Sequence, residues 1–521
     1  MSDDKTTDNT KPTECDAIPI KYDDLHKTKE TEDEEFDFRS DSELNPSQAQ
    51  QLKQLKVNVR NLCYDEETKY FNCAILARCL RSIYPIITLI DTNAMYVYDE
   101  KKGIYVRFGD KFLKQRINFV LDAMYTERRA NETINTLKSK LYSERKDIEV
   151  PIQFVSVENG VLDISKNPPQ LIEYHPNFYF TNKLPVTYNP NAKSPKFLKT
   201  LSEILPEEKF RLQIQEMFGW CLWRKYNHQV AFMLVGGGNN GKSIILRYLG
   251  RLLGEENVAH VSLQTICTDK YASSDLYHKY ANLAGETGTR ALEDTTDFKQ
   301  LTDGMSWIRA QRKFEHPFTF PNYAKLIFNT NKIPSSKDRS YAFFKRWVLI
   351  PFNVTFGEDG VVDDKQLFEK IATPEEISGI LTWALEGLKR LNEQDDFSER
   401  MSVKETEEYY KELQNPTYAF LNENIIESIE AEDYISKEYL WAELNNYCTE
   451  KHLQKPSSKK YFAGAIKKCF PSVLTNQKTV QNKSVRVWQF CRFVNNIKNQ
   501  EVKLYNGQDE SNLKNSNQDD W

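Results

Sequence analysis

The sequence predicts an α/β fold at the centre of the chain, with a small α+β domain before it and a mixed domain after it. Two observations carry the central part. Residues 231–250, AFMLVGGGNNGKSIILRYLG, pass from an apolar run through glycines and asparagines into an apolar pattern at helical spacing, which reads as strand, loop, helix. Two further apolar runs each end in a polar residue: Ala281–Gly285 delivers Glu286, and LIFNTN ends in Asn331.

At 521 residues and 61.0 kDa, with 40% hydrophobic and 28% charged residues, the chain has room for three or four domains and a large core. No stretch approaches the roughly 18 apolar residues of a membrane span, and the first residues are acidic where a signal peptide is basic and then apolar. No membrane role and a cytoplasmic location are expected. The nine cysteines form no C-x2-C pair, so free, mostly buried thiols are expected rather than zinc or disulfides. The net charge of -5 is unevenly spread: residues 1–50 carry 15 acids against 6 bases, and the remainder 60 against 64.

The acidic leader, residues 1–50, has little to bury and reads as disordered, as does the tail at 496–521. Residues 51–150 open with helical periodicity, give strands around the turn signal Asp99–Gly103, and return to helix: a small α+β domain. Residues 151–228 pass from turn signals into helices, a helical region preceding the central domain at 229–395. Residues 400–495 form the last, mixed block.

Gly236-Gly237-Gly238-Asn239-Asn240-Gly241-Lys242-Ser243 fits G-x-x-x-x-G-K-[ST], in the strand-to-helix context the motif requires. Glycines let successive N–H groups converge on phosphate oxygens at the positive end of the following helix. Lys242 would neutralise the β- and γ-phosphates of ATP, and Ser243 would offer its hydroxyl to Mg²⁺. A carboxylate at Glu286 would orient Mg²⁺ and the attacking water, and Asn331 would hold water or the γ-phosphate. Arg346 precedes the strand-like WVLIPF.

With GGGNNGKS, ANLAGET, the block KQLTDGMSWIRAQRKFEHPFTFPNYAKLIFNTNKIP and FFKRWVLIPF, the sequence resembles the superfamily 3 helicases, in the branch of phage, plasmid and large-DNA-virus primase-helicases. The resemblance covers roughly residues 85 to 490. It implies an AAA+ P-loop ATPase core, a mostly parallel sheet flanked by helices, assembled as a ring, usually a hexamer, with ATP between neighbours. Lys242 and Ser243 would then be the Walker A pair, Glu286 the Walker B acid, Asn331 the sensor, and Arg346 the finger reaching a neighbour's γ-phosphate, with Lys345 easily confused with it. Many relatives end the Walker B strand with two acids, but here Gly285 precedes Glu286, which favours Glu286 as base over direct metal ligand. A viral origin would make the location a host-cell replication compartment.

MSWIRAQRKFEHPFTFP alternates about a polar turn as a β-hairpin does. In superfamily 3 rings a hairpin here touches single-stranded DNA; Arg309, Arg312 and Lys313 are its cations, with Phe314 or His316 close enough to stack. The last block resembles a winged-helix domain: a helix capped by Ser436, a second carrying Lys459, Lys460, Lys467 and Lys468, and a wing at QKTVQNKSVRVWQF. The activity implied is an ATP-dependent helicase acting on single-stranded and forked DNA. The alternative is a primase-polymerase component, or an initiator or loader ATPase that does not unwind. The segment before residue 85 lacks a two-carboxylate site on a sheet, so no intact primase is expected here and a separate primase or polymerase is a candidate partner.

Overall fold

The computed structural model describes residues 45–286, 291–313, 316–354, 356, 368, 371–451, 453, 455–456, 458–480 and 483–494, with only the backbone of Glu286, Val480 and Lys483. Most of the acidic leader, all of the tail at 496–521, and Phe314 lie outside the described residues. Two compact units result. One runs to Thr88 and includes 95–102 and 106–142; the other takes 89–94, 103–105 and everything from Ser143 on.

In the first unit, α1 (Pro46–Cys63) starts where the Asn45 side chain accepts from Gln48 N and proline holds the first helical position. Helix α2 (Cys73–Ile83) is capped in the same way by Asn72. Strands β1 (Ile86–Leu89), β2 (Met95–Asp99) and β3 (Ile104–Arg107) follow, then α3 (Gly109–Leu121), α4 (Glu127–Lys140) and the short β4 (Tyr142–Ser143). The sheet order is β3-β2-β1-β4. The expected turn forms because Asp99 Oδ1 accepts from the backbone of Lys101 and Lys102, at 3.0 and 3.1 Å. Leu76, Leu80, Leu113 and Ile117 are completely buried in this core, each contributing about 1.5–3 kcal/mol.

The second unit opens with an antiparallel sheet of β5 (Phe154–Val157), β6 (Gly160–Asp163) and β7 (Gln170–Ile172), before α5 (Pro195–Ile204) and α6 (Glu208–Leu222). The expected helical region 151–228 therefore begins as a sheet: its strands are only three or four residues long, too short for a period to stand out among the turn signals.

A five-stranded parallel sheet dominates this unit. Its strands are β8 (Ala231–Val235), β9 (Val258–Ala259), β10 (Ala281–Glu286), β13 (Lys325–Thr330) and β14 (Trp347–Pro351), in the order β9-β10-β13-β8-β14. Between β10 and β13 lie β11 (Trp307–Ala310) and β12 (Phe318–Pro321), an antiparallel pair. Helix α7 (Lys242–Leu253) follows β8. Phe232, Leu234 and Ile327 share one core with Ile245 and Leu249 of α7, whereas Met233, Val235 and Phe328 belong to a second. Both faces are thus covered, which is why the strands read as unbroken apolar runs.

After α8 (Pro374–Gln394) come α9 (Val403–Gln414), α10 (Pro416–Asn424), β15 (Ile425–Glu427), β16 (Tyr434–Ser436), α11 (Lys437–Glu450), α12 (Lys459–Cys469), β17 (Leu474–Val480), β18 (Lys483–Gln489) and β19 (Cys491–Phe493). Strands β17 and β18 form an antiparallel hairpin beside β16. Among the described residues, no helix is long and apolar enough to cross a membrane.

Candidate functional site

The loop between β8 and α7 is shaped by Gly241, which caps the helix at φ +84°; a Cβ there would lie 2.5 Å from Ile204 Cδ1, so both conformation and space require glycine. At Gly237 and Gly238 an added Cβ would meet nothing within 4 Å, so this part of the loop is open. The first turn of α7 has no side-chain cap, and Ser243 stands exposed in it. Lys242 is only 4% exposed. Its Nζ donates to Gly236 O at 2.8 Å, Gly237 O at 2.7 Å and Asn240 Oδ1 at 2.8 Å. The Asn240 amide in turn donates to Phe352 O at 3.0 Å, tying the loop to the residue just past β14.

The ends of β10 and β13 lie beside this loop. A bulge at Gly285 shifts the register so that Glu286, not the glycine, is opposite Asn329. The Glu286 side chain, a predicted site group, lies outside the described residues. Asn329 pairs across β8 with Leu234, is 8% exposed, and has a buried Oδ1 with no hydrogen-bond partner among the described residues. Asn331 is exposed, one residue beyond the strand end. Asn329 sits at the carboxyl end of a parallel sheet, where ligands bind in such folds, and Asn331 follows just past that end. Asn329 escaped the sequence reading; the signal was FNTN, two amides alternating with smaller or apolar neighbours.

Arg346 is found turned inward. It is 8% exposed, its Nε donating to Thr302 Oγ1 at 2.8 Å and its Nη1 to Ala342 O at 2.6 Å, and burial holds its guanidinium pKa below the usual value. Lys345 beside it is exposed and donates to Gln229 Oε1 at 3.2 Å.

The β11–β12 hairpin pairs Arg309 with Thr319, both facing out, while Ile308, Ala310, Phe318 and Phe320 are buried. Arg309, Lys313 and His316 are exposed. Arg312 instead leans on the rings of Tyr277 and Phe318, at 5.9 and 5.5 Å. In the last block Lys460, Lys467 and Lys468 are exposed on α12, but Lys459 is engaged: its Nζ meets both Glu438 oxygens, at 2.8 and 2.9 Å. Ser436 occupies the cap position of α11 without a side-chain cap bond. Arg486, exposed on β18, adds a cation the sequence reading did not single out.

Two family models match the chain. One described as D5 N terminal like matches residues 50–206, and a family of unknown function matches residues 234–346. The candidate primase C962R of African swine fever virus, strain Badajoz 1971 Vero-adapted, is 24% identical over 300 residues, covering 53% of this chain and 31% of that protein. The candidate helicase L207/L206 of Acanthamoeba polyphaga mimivirus is 23% identical over 265 residues, 46% of this chain and 26% of that protein. The candidate helicase 184R of Invertebrate iridescent virus 6 is 25% identical over 243 residues, 42% and 24%. A solved structure, the apo NrS-1 C terminal region (305-718), aligns with a TM-score of 0.40 and 13% identity over 80% of this chain and 99% of that one. The chain spans less than a third of the length of these viral relatives, and it is homologous to proteins named as primases and helicases of large DNA viruses.

Proposed function

We propose that the chain is an ATP-driven DNA helicase of superfamily 3, a ring-forming AAA+ motor of viral or mobile-element replication that moves on single-stranded DNA. The observation that carries this reading is the β8–α7 loop. It offers an open glycine cradle, an uncapped helix N-terminus, an exposed serine hydroxyl and a lysine whose loop partners are neutral oxygens, and such a set fits a polyphosphate. ATP with Mg²⁺ would supply the phosphoanhydride that is cleaved. Gly236, Gly237, Gly238, Asn239, Asn240 and Gly241 would wrap its phosphates, Lys242 would neutralise them, and Ser243 would hold the metal. Glu286 is the base in this reading, with Asn331 and Asn329 orienting water beside it.

Arg346 completes the site of a neighbouring subunit only if it leaves Thr302 and Ala342. The exposed Arg309 and Lys313 of the hairpin, and Lys460, Lys467, Lys468 and Arg486 of a winged-helix module, are the cations for DNA phosphates. Such contacts are independent of sequence, as a translocating motor needs. A hexameric ring on single-stranded or forked DNA, with a separate primase or polymerase, is the working assembly.

The match to C962R favours a second reading, a primase-linked initiator or loader ATPase. ATP-dependent unwinding of a forked duplex by the wild type, lost with Lys242→Ala, supports the helicase. DNA-stimulated hydrolysis without unwinding supports the loader, and hydrolysis retained by Lys242→Ala overturns both.

A further inference from the structure

The first unit contains a cavity of about 220 Å³ beside the start of α3. Tyr84, Phe112 and Val106 contribute apolar wall, the two rings meeting edge to face at 5.3 Å. Arg107 and Lys111 also line it, their cations 5.3 and 5.1 Å from the ring of Phe108. Phe108 starts α3 in the left-handed conformation with no side-chain cap, so first-turn N–H groups add partial positive charge on that side. Asp99 lines the same cavity and is 6% exposed. Its Oδ1 is occupied by the turn; its buried Oδ2 is ion-paired with Lys102 Nζ at 3.4 Å and has no hydrogen bond among the described residues.

We propose that this cavity binds one nucleotide through its base and its 5′-phosphate. Aromatic walls suit a flat base, and a buried carboxylate oxygen lacking a hydrogen bond suits the amino or imino N–H of its edge. Two cations and an uncapped helix start suit the phosphate. A bare anion would be repelled by Asp99, and a metal cation by Arg107 and Lys111. The volume is below the roughly 300–1,000 Å³ of pockets that enclose drug-sized ligands, which limits the occupant to a single nucleotide. The nucleotide is either free or one residue of a single strand; the chemistry is shared.

The full chain carrying Lys242→Ala, which weakens the loop as a competing phosphate site, is titrated calorimetrically with dAMP, with deoxyribose 5-phosphate and with a 5′-phosphorylated oligonucleotide. Saturable binding of dAMP, tighter than that of the sugar phosphate and weakened about tenfold or more by adding Arg107→Ala and Lys111→Ala, is expected. Asp99→Asn keeps Oδ1 for the turn and should reduce the preference for dAMP over the sugar phosphate. Binding of the oligonucleotide alone, weakened by the same substitutions, supports the site and identifies a strand as the source. The proposal is overturned if neither dAMP nor the oligonucleotide saturates, if dAMP and the sugar phosphate both saturate with the same affinity, or if the double alanine change leaves binding unaltered. Arg107 and Lys111 are at least partly exposed, so an unchanged thermal melt separates lost binding from lost folding.

Discussion

The Lys242 ammonium donates to the Gly236 and Gly237 carbonyls and to the Asn240 side chain, which hold it at the mouth of the loop where a polyphosphate would be met. Lys242→Ala should therefore abolish ATP hydrolysis while leaving the far-ultraviolet circular dichroism unchanged. Asn240 serves a positioning role, since its side chain both accepts from Lys242 and donates to Phe352 O. The adjacent amides divide differently. Asn329 keeps a buried oxygen with no hydrogen-bond partner among the described residues, whereas Asn331 stands exposed just past the strand end. If both hold water beside Glu286, Asn329→Ala and Asn331→Ala should each lower kcat by about tenfold or more with little change in KM. A rise in KM alone, measured by steady-state ATPase assay, would assign them to nucleotide binding instead.

Among the elements, the β11–β12 hairpin separates its cations by burial. Arg309 and Lys313 face solvent, and Arg312 packs on Tyr277 and Phe318. Arg309→Ala with Lys313→Ala should leave basal ATPase within about twofold but reduce unwinding by about tenfold or more, because each lost phosphate contact weakens the grip on the strand. Equal loss of both activities would count against a DNA role. Behind the hairpin, His278 stacks on Tyr277 at 3.8 Å and meets Thr181 Oγ1 through Nδ1 at 2.8 Å. Burial, helped by Arg145, Arg224 and Arg312, lowers its pKa from 6.5 to about 3. The unfolded chain thus binds this proton more readily, so the contribution of neutral His278 is fully present above pH 6.5 and is lost as pH falls towards 3. Its slope is at most about 1.4 kcal/mol per pH unit. His278→Gln should flatten the acid limb of stability between those values, read as urea midpoints against pH. Parallel limbs for variant and wild type would remove His278 from the acid response.

At the scale of the whole chain, the strand-loop-helix at 231–253 was legible because its apolar runs, glycines and lysine are contiguous in sequence. The three-stranded sheet at 154–172 was not, because strands of three or four residues hide among turns. Where the candidate residues sit was legible where a motif fixes them, as for Lys242 and Ser243 at the start of α7. Their surroundings were not legible where tertiary packing decides, as for Asn329, for Lys459 on Glu438, and above all for Arg346. Arg346 connects the fold to the proposed ring. Its guanidinium holds Thr302 and Ala342 within one chain, yet the reading of a site completed between subunits needs it to serve a neighbour. Mixing Arg346→Ala subunits with Lys242→Ala subunits distinguishes the two roles, since a mixed ring contains interfaces at which an intact Lys242 meets an intact Arg346. Partial recovery of ATPase, peaking at intermediate ratios while each variant alone is inactive, is expected if the arginine acts across the interface. No recovery at any ratio, with a lowered melting temperature for Arg346→Ala, would confine it to the contacts it makes with Thr302 and Ala342, and the exposed Lys345 and Arg339 would be tested next by the same mixing.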